Sequence, residues 1–356
     1  MMKRKFFTVG PSEAHPALTA IMEDALREQI PSISHRSAQF ESLVEATVAS
    51  LRRLLSIPAS MHVFFLGSAT EAMERILENC VEARSSHFVN GSFSKRFYTI
   101  ALELKKNAEI FEASAGEAFD LKEEEPKGAE LICLTQNETS TGAQTAMEDM
   151  YALRKRYPHV LFALDIVSSA PYVQVDYSQI DSAFFSVQKG FGMPSGLGVL
   201  LVNDRCIEKS MALLEKGLNI GTYHNFPTLL KYGEKNQTPE TPNVLGIYTL
   251  GRIAKLYNDY GTERVRRETE EKAALLYDFF ENRAGLRPFV QNPKWRSLTT
   301  IAIEVEGGSR PLLEKLKEKG LVVGSGYGEY KEKQIRIANF PTQGRADIEL
   351  LLEAIQ

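Results

Sequence analysis

The chain has 356 residues, and its 42 Lys plus Arg against 46 Asp plus Glu leave a formal charge of −4. A balance this even, with no long basic tract, argues against nucleic acid as the partner. Apolar residues at 43% and charged residues at 25% exclude wholesale disorder, and the length suits about two domains. In chain order, MMKRKFF begins like a signal peptide, but its apolar stretch stops at Gly10-Pro11, short of the about 7 to 15 residues of a cleavable signal. Residues 40–55 read as a helix, with Phe40, Leu43, Val44, Val48, Leu51, Leu54 and Leu55 on one face. Residues 62–66 form a β-rich run ending at Gly67, and a helix is expected over 71–81. A strand over 87–90 ends at Gly91 before a helix over 93–105.

The middle repeats this rhythm. Residues 130–135, 160–166, 181–187 and 198–202 are compact apolar runs, and 147–157 is helical in pattern. Continuous apolar strands suit a mostly parallel sheet buried between helices, an α/β architecture. Past Pro239 and Pro242 the character changes. Long helices over 245–260 and 263–283 precede a strand over 299–305, a helix over 311–319, a strand over 334–337 and a helix over 345–355. We therefore expect a large domain over 13–245 and a smaller α+β domain over 246–356, with residues 1–12 able to join either. No apolar run approaches the about 20 residues of a spanning helix, so no membrane is expected. Cys80, Cys133 and Cys206 are odd in number, distant in sequence and without metal-ligand spacing. They point to a reducing, cytoplasmic setting, with neither a disulfide frame nor a metal site.

In open parallel sheets, ligands collect beyond the carboxyl ends of strands. After 62–66 come Gly67, Ser68, Ala69 and Thr70 at a helix start, either a capped turn or a phosphate site. After 87–90 comes Phe93, either core or a face for a flat ring. After 130–135 comes the polar cluster QNETSTG, and after 160–164 comes Asp165, an acid that needs a partner if buried. After 181–187 comes Lys189 before a Gly-rich turn; a desolvated Lys can act as an amine nucleophile.

Asp165 followed by Ser-Val-Gln-Lys-Gly at 186–190 resembles the class V, fold type I pyridoxal-phosphate aminotransferases. SHRS at 34–37, GSATEAME, NGSFSKR at 90–96, NET at 137–139, QTPETPN at 237–243 and IRIANF at 335–340 fall in the same order, and with TVGPSE at 8–13 the resemblance spans nearly the whole chain. Within class V the chain looks most like the phosphoserine aminotransferases and the serine–pyruvate or alanine–glyoxylate branch.

The resemblance implies pyridoxal 5'-phosphate, with Lys189 joined to its aldehyde and later moving the substrate proton. It implies Asp165 against the pyridine nitrogen, Phe93 stacked on the ring where many phosphoserine enzymes carry Trp, and Thr139 on the phenolic oxygen. Ser68, Ala69, Thr70 and Gln188 would hold the phosphate. Gln237 and Thr238 would reach it from the neighbouring subunit of a homodimer. Arg336 would take the substrate α-carboxylate, and His35 and Arg36 would lie near the substrate's far end. The implied reaction is a ping-pong transfer between an amino acid and a 2-oxo acid, best matched to 3-phosphohydroxypyruvate and glutamate in serine synthesis. The alternatives are a serine–pyruvate or alanine–glyoxylate aminotransferase, and further off a class V lyase or a non-catalytic pyridoxal-phosphate-binding protein. A lyase would need a mobile-loop cysteine well after the lysine, yet Cys206 follows Lys189 by only 17 positions.

Overall fold

The computed structural model of the protein describes residues 4–356, so the first three residues of the basic N-terminal stretch lie outside the description. Two sheets organise the chain. The larger has seven strands in the order Met61–Leu66, Gly198–Asn203, Ser182–Ser186, Leu161–Asp165, Leu131–Thr135, Arg84–Val89 and Asn107–Glu112. Strand Gly198–Asn203 runs antiparallel to both neighbours, and every other adjacent pair is parallel. The apolar runs are continuous because successive residues feed two different cores. Phe162 and Leu164 point into one and Ala163 into the other; Phe65 and Phe64 divide in the same way. Helices Ala38–Leu55, Met147–Arg156 and Val244–Tyr260 cover the first face. Helices Ala69–Cys80, Ser92–Glu103, Asp204–Glu215 and Phe226–Gly233 cover the second. The fold is the helix-covered, mostly parallel α/β sheet of fold type I.

The smaller sheet has five strands in the order Lys5–Phe7, Leu321–Ser325, Gln334–Ala338, Thr300–Val305 and Leu286–Pro288. Ile301, Ile303, Ile335 and Ile337 point into a third core with Leu276, Phe280, Leu316 and Leu351 from its helices. Residues 5–7 belong here, paired in parallel with 321–323. The expected division at 245 cuts across the packing. Helix Val244–Tyr260 places Ile247, Leu250, Ile253, Ala254 and Tyr257 in the core of the larger sheet, and Thr47 of the facing helix donates to Ile247 O at 3.1 Å. We propose that the units divide at the turn through Gly261, where φ is +102° and one long helix gives way to the next. The three cysteines, distant in sequence, gather as buried free thiols in the second core.

Asp181 pins the rear edge of the larger sheet. Its carboxylate is buried and accepts from Phe162 N at 2.8 Å, Arg154 Nη1 at 2.9 Å, Asn203 Nδ2 at 2.8 Å and Arg205 Nη1 at 2.8 Å. Removing one partner of a buried ion pair strands the other charge. Asp181→Ala should therefore lower unfolding free energy by about 3–5 kcal/mol, read from a urea transition. A loss below about 1 kcal/mol would show that the two arginines find water instead.

Candidate functional site

Two groups of polar side chains hold the candidate site residues, the first of them at the carboxyl ends of the large sheet's strands. The first centres on Lys189, three residues past strand Ser182–Ser186. Lys189 is buried; its Nζ donates to Thr139 Oγ1 at 2.7 Å and lies 4.9 Å from the centre of the Phe93 ring. Burial lowers the Lys189 pKa, against the pull of Asp165 and Glu138. Asp165 ends the adjacent strand and is also buried; it accepts from Val167 N at 2.8 Å. Burial raises its pKa, and the Val167 N–H and Lys189 only partly oppose this. The two charges act on each other yet form no ion-pair contact.

Arg336 enters from the middle of strand Gln334–Ala338. Its neighbours Ile335 and Ile337 face the smaller core, so Arg336 projects from the opposite face. Its Nε donates to Ser325 O at 2.9 Å and its Nη1 to Thr139 O at 3.0 Å. Burial depresses its pKa, and no carboxylate among the described residues pairs with it. Thr139 is therefore held at its hydroxyl by Lys189 and at its carbonyl by Arg336. Tyr327 closes this group, its ring 5.3 Å from the Arg336 guanidinium and 5.6 Å from Phe93.

Helix Ala69–Cys80 brings its first turn beside the lysine strand. Ser68 caps it by accepting from Glu71 N at 3.1 Å, and Ala69 N donates to Ser186 Oγ at 2.9 Å. Of the expected phosphate cradle, the Ala69 amide is thus already engaged, whereas Thr70 is exposed. Gln188 is half-buried, and its Oε1 is buried without a partner. A free-amine lysine, an unpaired buried carboxylate, an aromatic face and a helix N-terminus fit pyridoxal 5'-phosphate.

The second group joins His35, Arg36, Gln237 and Thr238. Arg36 donates to Gln237 Oε1 at 3.2 Å, Thr238 O at 2.6 Å and Pro239 O at 3.2 Å, and lies over Tyr232 at 4.6 Å. His35 Nδ1 is 3.4 Å from Thr241 Oγ1. The side chains of Gln237 and Thr238 bond to Glu41 Oε1 at 2.6 Å and Glu240 O at 2.8 Å, not to the cradle helix.

Sequence reasoning assigned no role to two residues that shape the first group. Glu138 is buried and accepts from Phe93 N at 3.1 Å, Ser94 N at 2.9 Å, Ser94 Oγ at 2.9 Å and Ser140 Oγ at 2.7 Å. It caps helix Ser92–Glu103 across the site and fixes Phe93 beside Thr139. The signal was an acid inside the NETS cluster directly after an apolar run. Gly10 has φ +141°, and a Cβ there would stand 2.9 Å from Lys189 Cε. Gly10→Ala should push the lysine amine off Thr139 and slow any reaction that this amine carries about 10- to 100-fold, with an unchanged far-UV spectrum. A stopped-flow rate within twofold of the parent would mean that the lysine stem moves freely.

A family model described as aminotransferase class-V matches residues 7–329. A putative phosphoserine aminotransferase of Mycobacterium leprae (strain TN) is 28% identical over 98% of this chain and 93% of its own length. A solved phosphoserine aminotransferase from Cytophaga hutchinsonii is 45% identical with a TM-score of 0.97, covering 99% of this chain and 98% of that one. An alanine–glyoxylate aminotransferase from Nostoc sp. shares the fold at 23% identity and a TM-score of 0.86, over 100% of this chain and 95% of that one.

Proposed function

The chain belongs to the class-V aminotransferase family, and we propose that it acts within it on a phosphate-bearing pair, moving the amino group of glutamate to 3-phosphohydroxypyruvate. It is a pyridoxal-phosphate-dependent transaminase of the phosphoserine aminotransferase-like kind, with an amino acid and a 2-oxo acid as substrates. When bound, the cofactor supplies an electrophilic carbon for the amine and an electron sink for the substrate's Cα.

The carrying observation is the shared grip on Thr139. Arg336 keeps guanidinium N–H groups beyond those given to Ser325 O and Thr139 O, and a substrate carboxylate held on them would meet the same residue, Thr139, that binds the Lys189 amine. Burial keeps the Lys189 amine ready to accept a proton there, and the Thr139 hydroxyl orients it. Asp165 would hold a proton on the ring nitrogen opposite, Phe93 would cover the ring face, and Ser68, Ala69, Thr70 and Gln188 would hold the phosphate.

We further propose a cytoplasmic homodimer with shared sites. Supporting this, the Gln237 and Thr238 side chains make no bond to their own chain's cradle helix, and the segment is joined to Arg36. Two-fold symmetry would carry that unit to the partner's phosphate, each subunit completing the other's site. The cysteines, all buried free thiols, suit a reducing compartment.

Lys189→Ala should fold, yet lower turnover by about a thousandfold or more, because nucleophile and proton carrier vanish together. Asp165→Asn should slow the half-reaction strongly while cofactor binding is partly retained; an unchanged rate would reduce Asp165 to a turn cap. The substrate class is read from cofactor absorbance with phosphoserine, glutamate, alanine and serine as donors. A response to alanine and not to phosphoserine would transfer the chain to the alanine–glyoxylate branch.

Shared sites are tested by mixing a Lys189→Ala chain with a Gln237→Ala, Thr238→Ala chain. The heterodimer should hold one intact site and recover part of the activity. No recovery despite subunit exchange would place both elements in one subunit's site.

A further inference from the structure

His224 lies between the two groups. It is buried in the loop before helix Phe226–Gly233, its Nδ1 2.5 Å from Glu71 Oε1 and its Nε2 2.9 Å from Glu240 Oε2. An imidazole that meets a carboxylate at each nitrogen satisfies both only as the doubly protonated cation. Each carboxylate leads to an element of the proposed cofactor site. Glu71 follows Thr70 in the first turn of the cradle helix and accepts from Gly67 N at 2.8 Å through its other oxygen. Glu240 accepts the Thr238 hydroxyl at its carbonyl, and Thr238 O in turn accepts from Arg36.

Without its cation, this arrangement would oppose phosphate binding. Glu71 stands one residue past the turn offered to a dianion, and Glu240 two residues past Thr238. Both would repel a phosphate and each other in partly buried surroundings. Arg75, on the cradle helix, also acts on Glu71, and the Tyr223 ring centre lies 4.1 Å from that of His224. Arg75 is itself paired with Glu74 at 2.5 Å and Glu78 at 2.7 Å, so His224 is the contacting cation for Glu71 and Glu240.

We propose that the His224 cation is a positioning residue for cofactor retention: it ties the Gln237–Glu240 segment to the first turn of the cradle helix and neutralises Glu71 beside the phosphate. The proposal rests on the assignment of Ser68, Ala69 and Thr70 to the phosphate. If that segment serves the partner, His224 joins the cradle of its own subunit to the element that completes the other's.

Burial alone would lower the His224 pKa, but its bonds to Glu240 and Glu71 outweigh that and raise it to about 9, from 6.5. The tie is thus fully charged below the ordinary histidine range and is lost as pH rises through about 9.

The test follows the affinity of apoenzyme for pyridoxamine 5'-phosphate, which forms no bond to Lys189, from about pH 6.5 to pH 10. In the parent, affinity should fall as pH passes about 9. His224→Gln should weaken binding about tenfold or more at neutral pH and remove that transition. Glu240→Gln keeps the histidine but removes one of its two anions, so the transition should move to lower pH. That shift decides the question even if His224→Gln fails to fold, because a purely structural role would leave the transition in place. A Glu240→Gln transition at the parent's pH, or His224→Gln binding within twofold of the parent with the transition intact, overturns the proposal. A Ser68→Ala, Thr70→Ala variant run alongside locates the fault: if it too binds as the parent does, the cradle assignment has failed and the proposal falls with it.

Discussion

The site depends on two opposite charges buried close together and kept from pairing. Asp165 closes one strand and Lys189 follows its parallel neighbour by three residues, and burial opposes the ionised form of each. Direct contact would be the simplest relief. Instead, the lysine turns to the Thr139 hydroxyl and the Phe93 face, and the aspartate takes the Val167 N–H. Such an arrangement costs folding energy and persists only where the surroundings over-determine it. Here they are strands buried along their whole length between two cores. Under the proposed function, Asp165 would face a cationic ring nitrogen and Lys189 a reactive carbon of the same cofactor.

The surrounding residues hold that gap by packing more than by charge. Gly10 admits the lysine stem, and Glu138 locks the helix start that carries Phe93. Thr139 is the junction of the two sheets, since Arg336 reaches it from the smaller one. A shift of the smaller sheet would therefore carry the Arg336 guanidinium relative to the Lys189 amine. The Asn137–Ser168–Thr299 network resists such a shift: Asn137 Nδ2 donates to Ser168 Oγ at 2.7 Å, and Thr299 Oγ1 donates to Ser168 O at 2.6 Å. Ser168 and Asn137 lie within three residues of Asp165 and Thr139, so the same buried polar contacts anchor both site residues and the sheet–sheet contact.

What the sequence revealed follows from how local each signal is. Apolar runs marked the inner strands because burial on both faces leaves no alternation, and Lys189 and Asp165 stood out as charges directly after such runs. Strand Asn107–Glu112 escaped because it is a half-buried edge with charged residues. Strand Leu321–Ser325 went unassigned as well; it is interrupted by Gly324 and flanked by Gly320 and Gly326. The antiparallel course of Gly198–Asn203 leaves no mark in composition. The prolines near residue 240 imitate a domain boundary, although the helix after them still packs on the first core. Glu138 meets Ser94 across 44 positions and His224 meets Glu71 across 153, so neither role has a local signature.

Substrate class and subunit arrangement are one physical question in this site. Under the proposed function, any amino acid brings one carboxylate, and Arg336 is the partner proposed for it. A substrate that also carries a phosphate needs a second cationic place, and Lys189, if it is the reacting amine as proposed, cannot supply it. Arg36 with His35 offers one: Arg36 is exposed, forms no ion pair among the described residues, and is held by carbonyl oxygens that orient it without cancelling its charge. Yet Arg36 is bound to the Gln237–Pro239 segment and would move with it as a unit. If that unit completes the partner's site, recognition of the second anion is a property of the dimer. A small donor such as alanine would need only Arg336 and Lys189, and so would lose less than phosphoserine when Arg36 is replaced. Arg36→Met should therefore raise KM for phosphoserine about tenfold or more while leaving alanine turnover, if any, within about twofold. Equal losses for both donors would mean that Arg36 serves only to hold the loop.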